Sequence, residues 1–525
     1  MTNLPINREE IVSKVIKRSR TDINAAYSLL TDYLSDITDE VFLNNLGLTF
    51  YQHVEYELAK QTFRYALKKK PNSHYLYNNY GLTLNRLGQG ADAVEQYQKA
   101  ISIKADYHQA RSNLAYTLLY FGKTGRSEIL QSHEEINTFV FPKRTTFFDP
   151  KKTSFNSERP LNIAYVSADL RGHAVGSFMM GILKNHNTEE FNVHILDNRA
   201  NNNDEIAQQL KELYSAWTDI SAMSTAEVCQ LVVQLKIDIL IDLSGHTKGG
   251  RPDVFSQRSA PLQINYLGYP ATTGLENIDY RIVDIFTDPV TASTQTTEQL
   301  LRLNHAIWNY QTWQDMPSEP SSSPYKKNGY ITFGSANNHA KLQESWLKTW
   351  AKVLFLIPNS RLNIKSRSLK SPVAQQQFLQ FFQNQQINQN RIQIEHYSSN
   401  KADHWRSLQK FDIALDSFPY NGTTTSCDLL NLGIPIVTRA GNSHVSRTTG
   451  SILNTLGLND WIANSTQEFI DICIDKANNI DELYKLRQSL KIRFDSSTLG
   501  NSNIFLIEYE QKLKQCWQTY CSQQG

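Results

Sequence analysis

Cysteine is scarce in this chain: five residues (Cys229, Cys427, Cys473, Cys516, Cys521) in 525, none in Cys-x-x-Cys spacing. So sparse and odd a set argues against a disulfide framework or a structural zinc and fits a reducing compartment. Charge of one sign is lacking too. The 53 basic and 51 acidic side chains leave a net +2, whereas nucleic-acid and membrane-surface proteins carry a basic excess. Local runs such as Lys68-Lys69-Lys70 read as a solvated helix end. No apolar run is long enough to span a bilayer, and the opening MTNLPINREEIVSKVIKRSR has no apolar signal-peptide core, so the cytoplasm is the expected location. Three motifs are missing as well. There is no Asp-x-Asp, the metal-holding pair of many sugar-nucleotide enzymes, no GxxxxGK[ST] ATPase loop and no GxSxG hydrolase elbow. What remains is globular in composition, 40% hydrophobic and 20% charged, with length for about three domains.

The first third contains a repeat. Asn45-Leu46-Gly47, Asn79-Tyr80-Gly81 and Asn113-Leu114-Ala115 recur at a spacing of 34 residues. Ala59, Phe63, Ala66 and Pro71 follow the first; Ala93, Tyr97 and Ala100 follow the second at matching offsets. Small residues where two helices cross, an aromatic on the second helix and a terminal proline define the tetratricopeptide pattern. Two full repeats and a third opening helix are visible, flanked by helical segments at 8–34 and 125–139. An array this short is expected to pack on its neighbour. Residues 1–139 therefore form a helical region and 140–160 a linker rich in Lys, Thr, Ser and Phe.

Beyond the linker, strands alternate with helices. Leu161–Val166, Phe191–Leu196, Ile237–Asp242, Leu262–Leu267 and Tyr280–Val283 read as strands, with helices near 176–183 and 225–235. After a Ser/Pro/Lys-rich stretch at 317–328 the series restarts: Tyr330–Phe333, a helix over 344–356, Arg361–Lys365, Ile392–Ile394, Phe411–Leu415 and Ile434–Val437. This is the signature of parallel sheets covered on both faces, so 161–318 and 319–525 read as two doubly wound, Rossmann-like domains. A closing helix over about 504–520 is expected to brace one domain against another. Tandem domains of this kind bind ligand between them, at the carboxyl ends of the strands.

Four clusters follow strand ends. Asn421-Gly-Thr-Thr-Thr-Ser-Cys-Asp428 joins a strand to a helix through a glycine and small hydroxyls. Unpaired N–H groups and the positive end of the helix dipole suit phosphate there, and Asp428 suits a ribose hydroxyl. The same octapeptide also reads as an ordinary capped helix start. Ser167-Ala-Asp-Leu-Arg-Gly-His173 ends in a histidine that is either a base, a hydrogen-bond donor or diphosphate contact, or a structural residue. The glycines in Asp242-Leu-Ser-Gly-His-Thr-Lys-Gly-Gly250 and Leu267-Gly-Tyr-Pro-Ala-Thr-Thr-Gly274 allow close backbone approach to a ligand, or simply turns. Gly334-Ser-Ala-Asn-Asn-His-Ala-Lys341 offers amides for a base or ribose and a lysine for phosphate, or a capped helix with a solvated lysine.

Taken together, SADLRGHAVGSFM, DLSGHTKGG, APLQINYLGYPATTG, YITFGSANNHAKL, LDSFPYNGTTTSCD and GIPIVTRAGNSHVSRTTGSIL, in that order, resemble one family. It comprises the nucleocytoplasmic O-linked N-acetylglucosamine transferases and SPINDLY-type proteins, glycosyltransferase family 41. The resemblance covers nearly the whole chain. It implies a tetratricopeptide array followed by a GT-B catalytic region, inverting transfer without a metal or other cofactor, and a protein acceptor held by the array. It gives His173 the place of the active-site histidine and makes Lys341 the group that stabilises the leaving diphosphate. Asn338, Lys401, His404, Thr424, Thr425 and Asp428 take the nucleotide-sugar positions. Asn45, Asn79 and Asn113 take the place of an acceptor-gripping asparagine ladder. Thr423 stands where the animal enzyme has a histidine near the nucleotide, and His246 where it has a tyrosine. Those two positions lean towards the SPINDLY branch, whose plant member uses GDP-fucose, while Asp428 leans towards UDP-sugar users. UDP-N-acetylglucosamine is the expected donor and Ser or Thr the expected acceptor. GDP-fucose, an asparagine or glycan acceptor, and an inactive repeat scaffold are the alternatives; intact His173, Lys341 and Thr424 argue against the last.

Overall fold

The computed structural model describes residues 7–121, 126–150, 156, 158–199, 204–214, 216–291, 296–311, 316–317, 322–395 and 400–524; for Arg126 and Lys401 it describes the backbone alone. Eight helices come first among these: α1 Arg8–Ser19, α2 Ile23–Ser35, α3 Glu40–Gln52, α4 Tyr56–Lys69, α5 His74–Arg86, α6 Gly90–Ile103, α7 His108–Leu118 and α8 Arg126–Val140. Each packs on the next, and the repeat residues show why. A β-carbon on Gly47 would sit 2.6 Å from the Phe63 ring, and one on Gly81 2.7 Å from Tyr97. The glycine of each first helix is thus the seat for the aromatic of the second. Ala59, Ala66, Ala93 and Ala100 are fully buried around them. The helical segment expected at 8–34 consists of two helices, because the Asp22 side chain accepts from Ala25 N–H and starts α2 afresh.

Two parallel sheets follow. The first contains β1 Leu161–Ser167, β2 Phe191–Asp197, β3 Trp217–Asp219, β4 Ile239–Asp242, β5 Leu262–Asn265, β6 Tyr280–Asp284 and β7 Gln299–Leu303, in the order β3-β2-β1-β4-β5-β6-β7. The second contains β8 Thr332–Ser335, β9 Arg361–Ile364, β10 Ile392–Ile394, β11 Ile413–Leu415, β12 Ile436–Arg439 and β13 Ile462–Ala463, in the order β10-β9-β8-β11-β12-β13. β1 runs in register with β4 (Ile163 beside Ile239), and β8 with β11 (Phe333 beside Ile413). Their central strands are buried on both faces, which accounts for near-continuous runs such as Ile-Leu-Ile-Asp in β4. Both sheets reverse winding direction beside their first strand, giving two topological switch points. This is the GT-B arrangement.

The chain crosses between the halves twice, and the crossings are stitched together. Tyr310 N–H donates to Leu499 O at 2.6 Å, Asn309 Nδ2 to Thr498 O at 3.0 Å, and Ser502 Oγ to Asn309 Oδ1 at 2.7 Å. The last helix, Ser502–Gln524, then packs on the first half: Tyr509 and Tyr165 hydroxyls lie 3.1 Å apart, and His186 Nδ1 sits 2.7 Å from Glu510.

The helical array touches both halves. His133 Nε2 of α8 meets Tyr269 Oη at 2.6 Å, and the strand-like bridge Thr146–Arg258 ties the following segment to the first sheet. On the other side Ser371 Oγ donates to Glu55 at 2.9 Å, and Gly88, at the α5–α6 turn, lies against His339. No helix among the described residues is long and apolar enough to cross a membrane.

Candidate active site

The two switch points face each other, and their loops enclose a cavity of ≈ 470 Å³ lined by His173 from the first half, Lys341 and Thr423–Thr425 from the second, and Tyr116 from α7. The second half builds its side around Asp416, which directly follows β11. This buried carboxylate accepts from Ser417 N–H and Gly422 N–H, both at 2.8 Å, and from Thr438 Oγ1 at 2.7 Å. It thereby folds the Asn421-Gly422 turn back over the strand. The turn packs closely on the helix that follows: a β-carbon on Gly422 would lie 2.5 Å from Ser426 Oγ, so a larger residue there would require that hydroxyl to move. Thr448 and Thr449 hydroxyls donate to Gly422 O at 2.9 and 3.0 Å and hold the turn from behind. The helix Thr424–Asn431 starts directly after it, with Thr423 as N-cap making no side-chain capping bond. Its first N–H groups have no partner within the helix and open onto the cavity, a preorganised site for anionic oxygens.

Lys341 reaches the same place from the turn after β8. Its Nζ donates to Asn421 O at 2.8 Å and lies 4.2 Å from the centre of the Tyr420 ring. Burial pushes its pKa down to about 8, against the pull of the Asp416 carboxylate. Tyr420 stacks on Tyr120 at 4.9 Å, and its hydroxyl lies 3.3 Å from that of Tyr116. The cation is therefore held on an aromatic platform shared by the array and the second half. Cation–π contacts of this type contribute about 0.5–2 kcal/mol.

His173 caps the helix Ala174–Asn185 on the facing wall. Its Nδ1 lies 3.4 Å from Val175 N and 3.8 Å from Asp169 Oδ1. The ring is pinned through Nδ1, and Nε2 is left for the cavity. Burial lowers its pKa, with Asp169 acting in the opposite direction.

A neighbouring cavity of ≈ 690 Å³ shares Thr425 with the first and is lined by Asn338, Lys365, His404 and residues of the array. Burial, helped by Lys365, brings the His404 pKa down to about 4, so this imidazole is neutral at physiological pH. The Lys401 side chain lies outside the described residues; its backbone begins the helix Lys401–Leu408 that carries His404.

The structure puts the other sequence-predicted residues elsewhere. Asp428 is buried against the first half, where it accepts from Tyr310 Oη at 2.5 Å, and burial raises its pKa to about 7. His246 is buried between the array and the first half, with Nε2 bonded to Thr273 O at 2.6 Å and its ring beside His133 and Tyr269. Asn79 and Asn113 bond along the array, to Asn44 at 2.8 Å and Asn78 at 2.9 Å respectively. Asn45 is half-buried on α3, and it is its neighbour Asn44 that pairs with Asn79. Asp416, Tyr116 and Tyr420 were not singled out from sequence. Asp416 had a signal, an acid directly after a buried strand, whereas Tyr116 is brought in by tertiary packing alone.

Comparison with known proteins adds to this geometry. A family model described as glycosyl transferase family 41 matches residues 117–317 and 322–509. A probable UDP-N-acetylglucosamine–peptide N-acetylglucosaminyltransferase SPINDLY of Oryza sativa subsp. japonica is 32% identical over 435 residues, 82% of this chain and 46% of that protein. The Arabidopsis thaliana protein of the same description is 30% identical over 80% of this chain and 46% of its own length. The chain thus spans about half the length of the curated relatives it matches. Among solved structures, a mutant O-GlcNAc transferase of Thermobaculum terrenum superposes with a TM-score of 0.87 at 26% identity, covering 99% of this chain and 100% of that one.

Proposed function

The chain belongs to glycosyl transferase family 41, and from that we propose that it transfers N-acetylglucosamine from UDP-N-acetylglucosamine to Ser or Thr hydroxyls of protein acceptors, with inversion at the anomeric carbon. One observation carries the reading: Lys341, the helix start at Thr424 and the Nε2 face of His173 converge on one cavity between the two halves. The acceptor oxygen attacks the anomeric carbon from the His173 side. The bond from that carbon to the diphosphate oxygen breaks on the opposite side, and its electron pair leaves with UDP. The negative charge then grows where Lys341 and the N–H groups of Thr424 and Thr425 stand ready, and preorganised charge of this kind is usually the largest catalytic contribution. His173 orients the attacking hydroxyl while Nδ1 accepts from Val175 N–H, or takes its proton at Nε2 in the tautomer whose Nδ1–H faces Asp169. With the leaving group neutralised in this way the reaction calls for no metal, and turnover is expected to survive a chelator.

Asn338 and His404 belong to the nucleoside side in this reading. The acceptor runs along the array. Asn113 and Tyr116 are three residues apart on α7 and share a helix face, so the asparagine pairs lead towards the cavity that Tyr116 lines. The five free, buried cysteines suit a cytoplasmic protein.

The test is mass spectrometry of a co-expressed host proteome, with wild type beside Lys341→Ala, and UDP-N-acetylglucosamine and GDP-fucose supplied separately in vitro. An N-acetylhexosamine increment on Ser or Thr that vanishes in the variant is the expected result. A deoxyhexose increment would overturn the donor, and folded protein that turns over neither donor would overturn the activity.

A further inference from the structure

The nucleoside-side cavity has a wall that the doubly wound halves do not supply. Opposite Asn338, Lys365 and His404 stand Tyr51, Gln52, Tyr56 and Arg86, at the ends of α3 and α5 and the start of α4. They are held there by the contacts of the α3–α4 and α5–α6 turns with the second half, Glu55 to Ser371 and Gly88 to His339. Arg86 is built into this wall. Its Nε donates to Tyr51 Oη at 2.8 Å, and Tyr51 packs on Tyr56 with ring centres 5.1 Å apart. The two terminal nitrogens of the guanidinium have no hydrogen-bond partner among the described residues, and the group is only partly buried. A planar fork fixed at one nitrogen and open at the other two suits a bidentate acceptor edge.

We propose that the helical array forms one wall of the donor site and that Arg86 is a donor-binding residue which contacts the nucleoside part of the sugar nucleotide. This rests on the donor reading above, and the geometry orders the ligand. Thr425 borders both cavities, so a diphosphate at the helix start straddles them. The sugar falls on the side of Lys341 and His173, and the nucleoside falls on the side of Arg86. The base or ribose then sits between the neutral His404 ring of the second half and the guanidinium of the array. A pyrimidine or purine edge with adjacent acceptors is the chemistry that this fork reads, by hydrogen bonds of the type arginine makes to base edges. A donor bound in this way touches the array as well as both halves, so the array serves the nucleotide and not the acceptor alone.

Isothermal titration of UDP and of GDP into the full chain tests this with wild type, Arg86→Ala and Tyr51→Phe, each checked for folding by circular dichroism and thermal unfolding. Tyr51→Phe keeps the ring packing and removes only the oxygen that holds Arg86. Arg86→Ala is expected to weaken nucleotide binding at least tenfold and Tyr51→Phe by a smaller factor. In turnover, donor KM rises by a larger factor than kcat falls, since neither variant replaces Lys341, Tyr420 or the helix start. Folded variants that bind UDP and GDP as tightly as wild type would overturn the proposal, and so would a rise confined to the acceptor KM. Wild type that binds neither nucleotide would instead overturn the donor reading itself, and this proposal with it.

Discussion

Raising the pH through 8 is expected to shut the reaction down, in a way that a surface lysine would not. The reference lysine keeps its charge until about pH 10.4. Lys341 lies against the Tyr420 ring and the Asn421 carbonyl, and burial brings its pKa down to about 8. The group acts in its charged form, so activity is present below that pKa and is lost as the pH rises through it. With a pKa of about 8, roughly nine-tenths of the free enzyme is competent at pH 7 and roughly one-tenth at pH 9. kcat/KM, which reports the free enzyme, therefore falls about tenfold per unit on the basic limb. The assay is UDP release at subsaturating donor and constant ionic strength from pH 6 to 10, with folding checked at each end. Lys341→Arg, whose side chain does not titrate in this range, should lose the limb. Lys341→Met should sit about 10²–10³ lower throughout, the usual cost of removing one preorganised donor, and show no limb either. A wild-type profile flat to pH 9.5, or a limb that persists unchanged in both variants, would refute the assignment.

Two further outcomes follow from packing. Gly81→Ala drives a β-carbon to 2.7 Å from the buried Tyr97 ring. It should cost about 1–3 kcal/mol by overpacking, seen as faster hydrogen exchange in α5 and α6. Asp428→Asn keeps an acceptor for the Tyr310 hydroxyl and removes a carboxylate whose pKa burial raises to about 7. A carboxyl raised in the folded state destabilises the fold as the pH climbs from its unfolded value near 4 towards 7. The variant should therefore melt above wild type at pH 8, and the gain should shrink as the pH is lowered towards 4.

The array was legible because its packing rule is local: Gly47 under Phe63 and Gly81 under Tyr97 repeat at one spacing, and steric fit leaves that spacing in the sequence. The central strands were legible for a similar reason, since burial on both faces demands unbroken apolar runs. What escaped were β3, β7 and β13. These are edge strands of two to five residues: β3 and β7 are partly exposed and leave little alternation, as in Gln-Leu-Leu-Arg-Leu of β7, and β13, though buried, is only two residues long. The site divides along the same line. The loops bearing His173, Lys341 and Thr423–Thr425 announce themselves because strand, turn and helix start are contiguous. Tyr116 and Arg86 belong to a helical pattern that explains them equally well as ordinary surface residues; only the docking of the array gives them a ligand to face.

The paired crossing at Asn309–Tyr310 and Thr498–Ser502 has a mechanical consequence. Two halves joined by a single tether can tumble, but two tethers bonded side by side act as a hinge pin and leave one easy rotation. The array, fixed to the first half at His133 and to the second at Glu55, bridges that hinge like a latch. In the transfer proposed above, admitting a donor or releasing UDP means either working within the slack of the latch or lifting one end of it. The rate of exchange at the cleft is in that sense a property of the helices that lie outside both sheets.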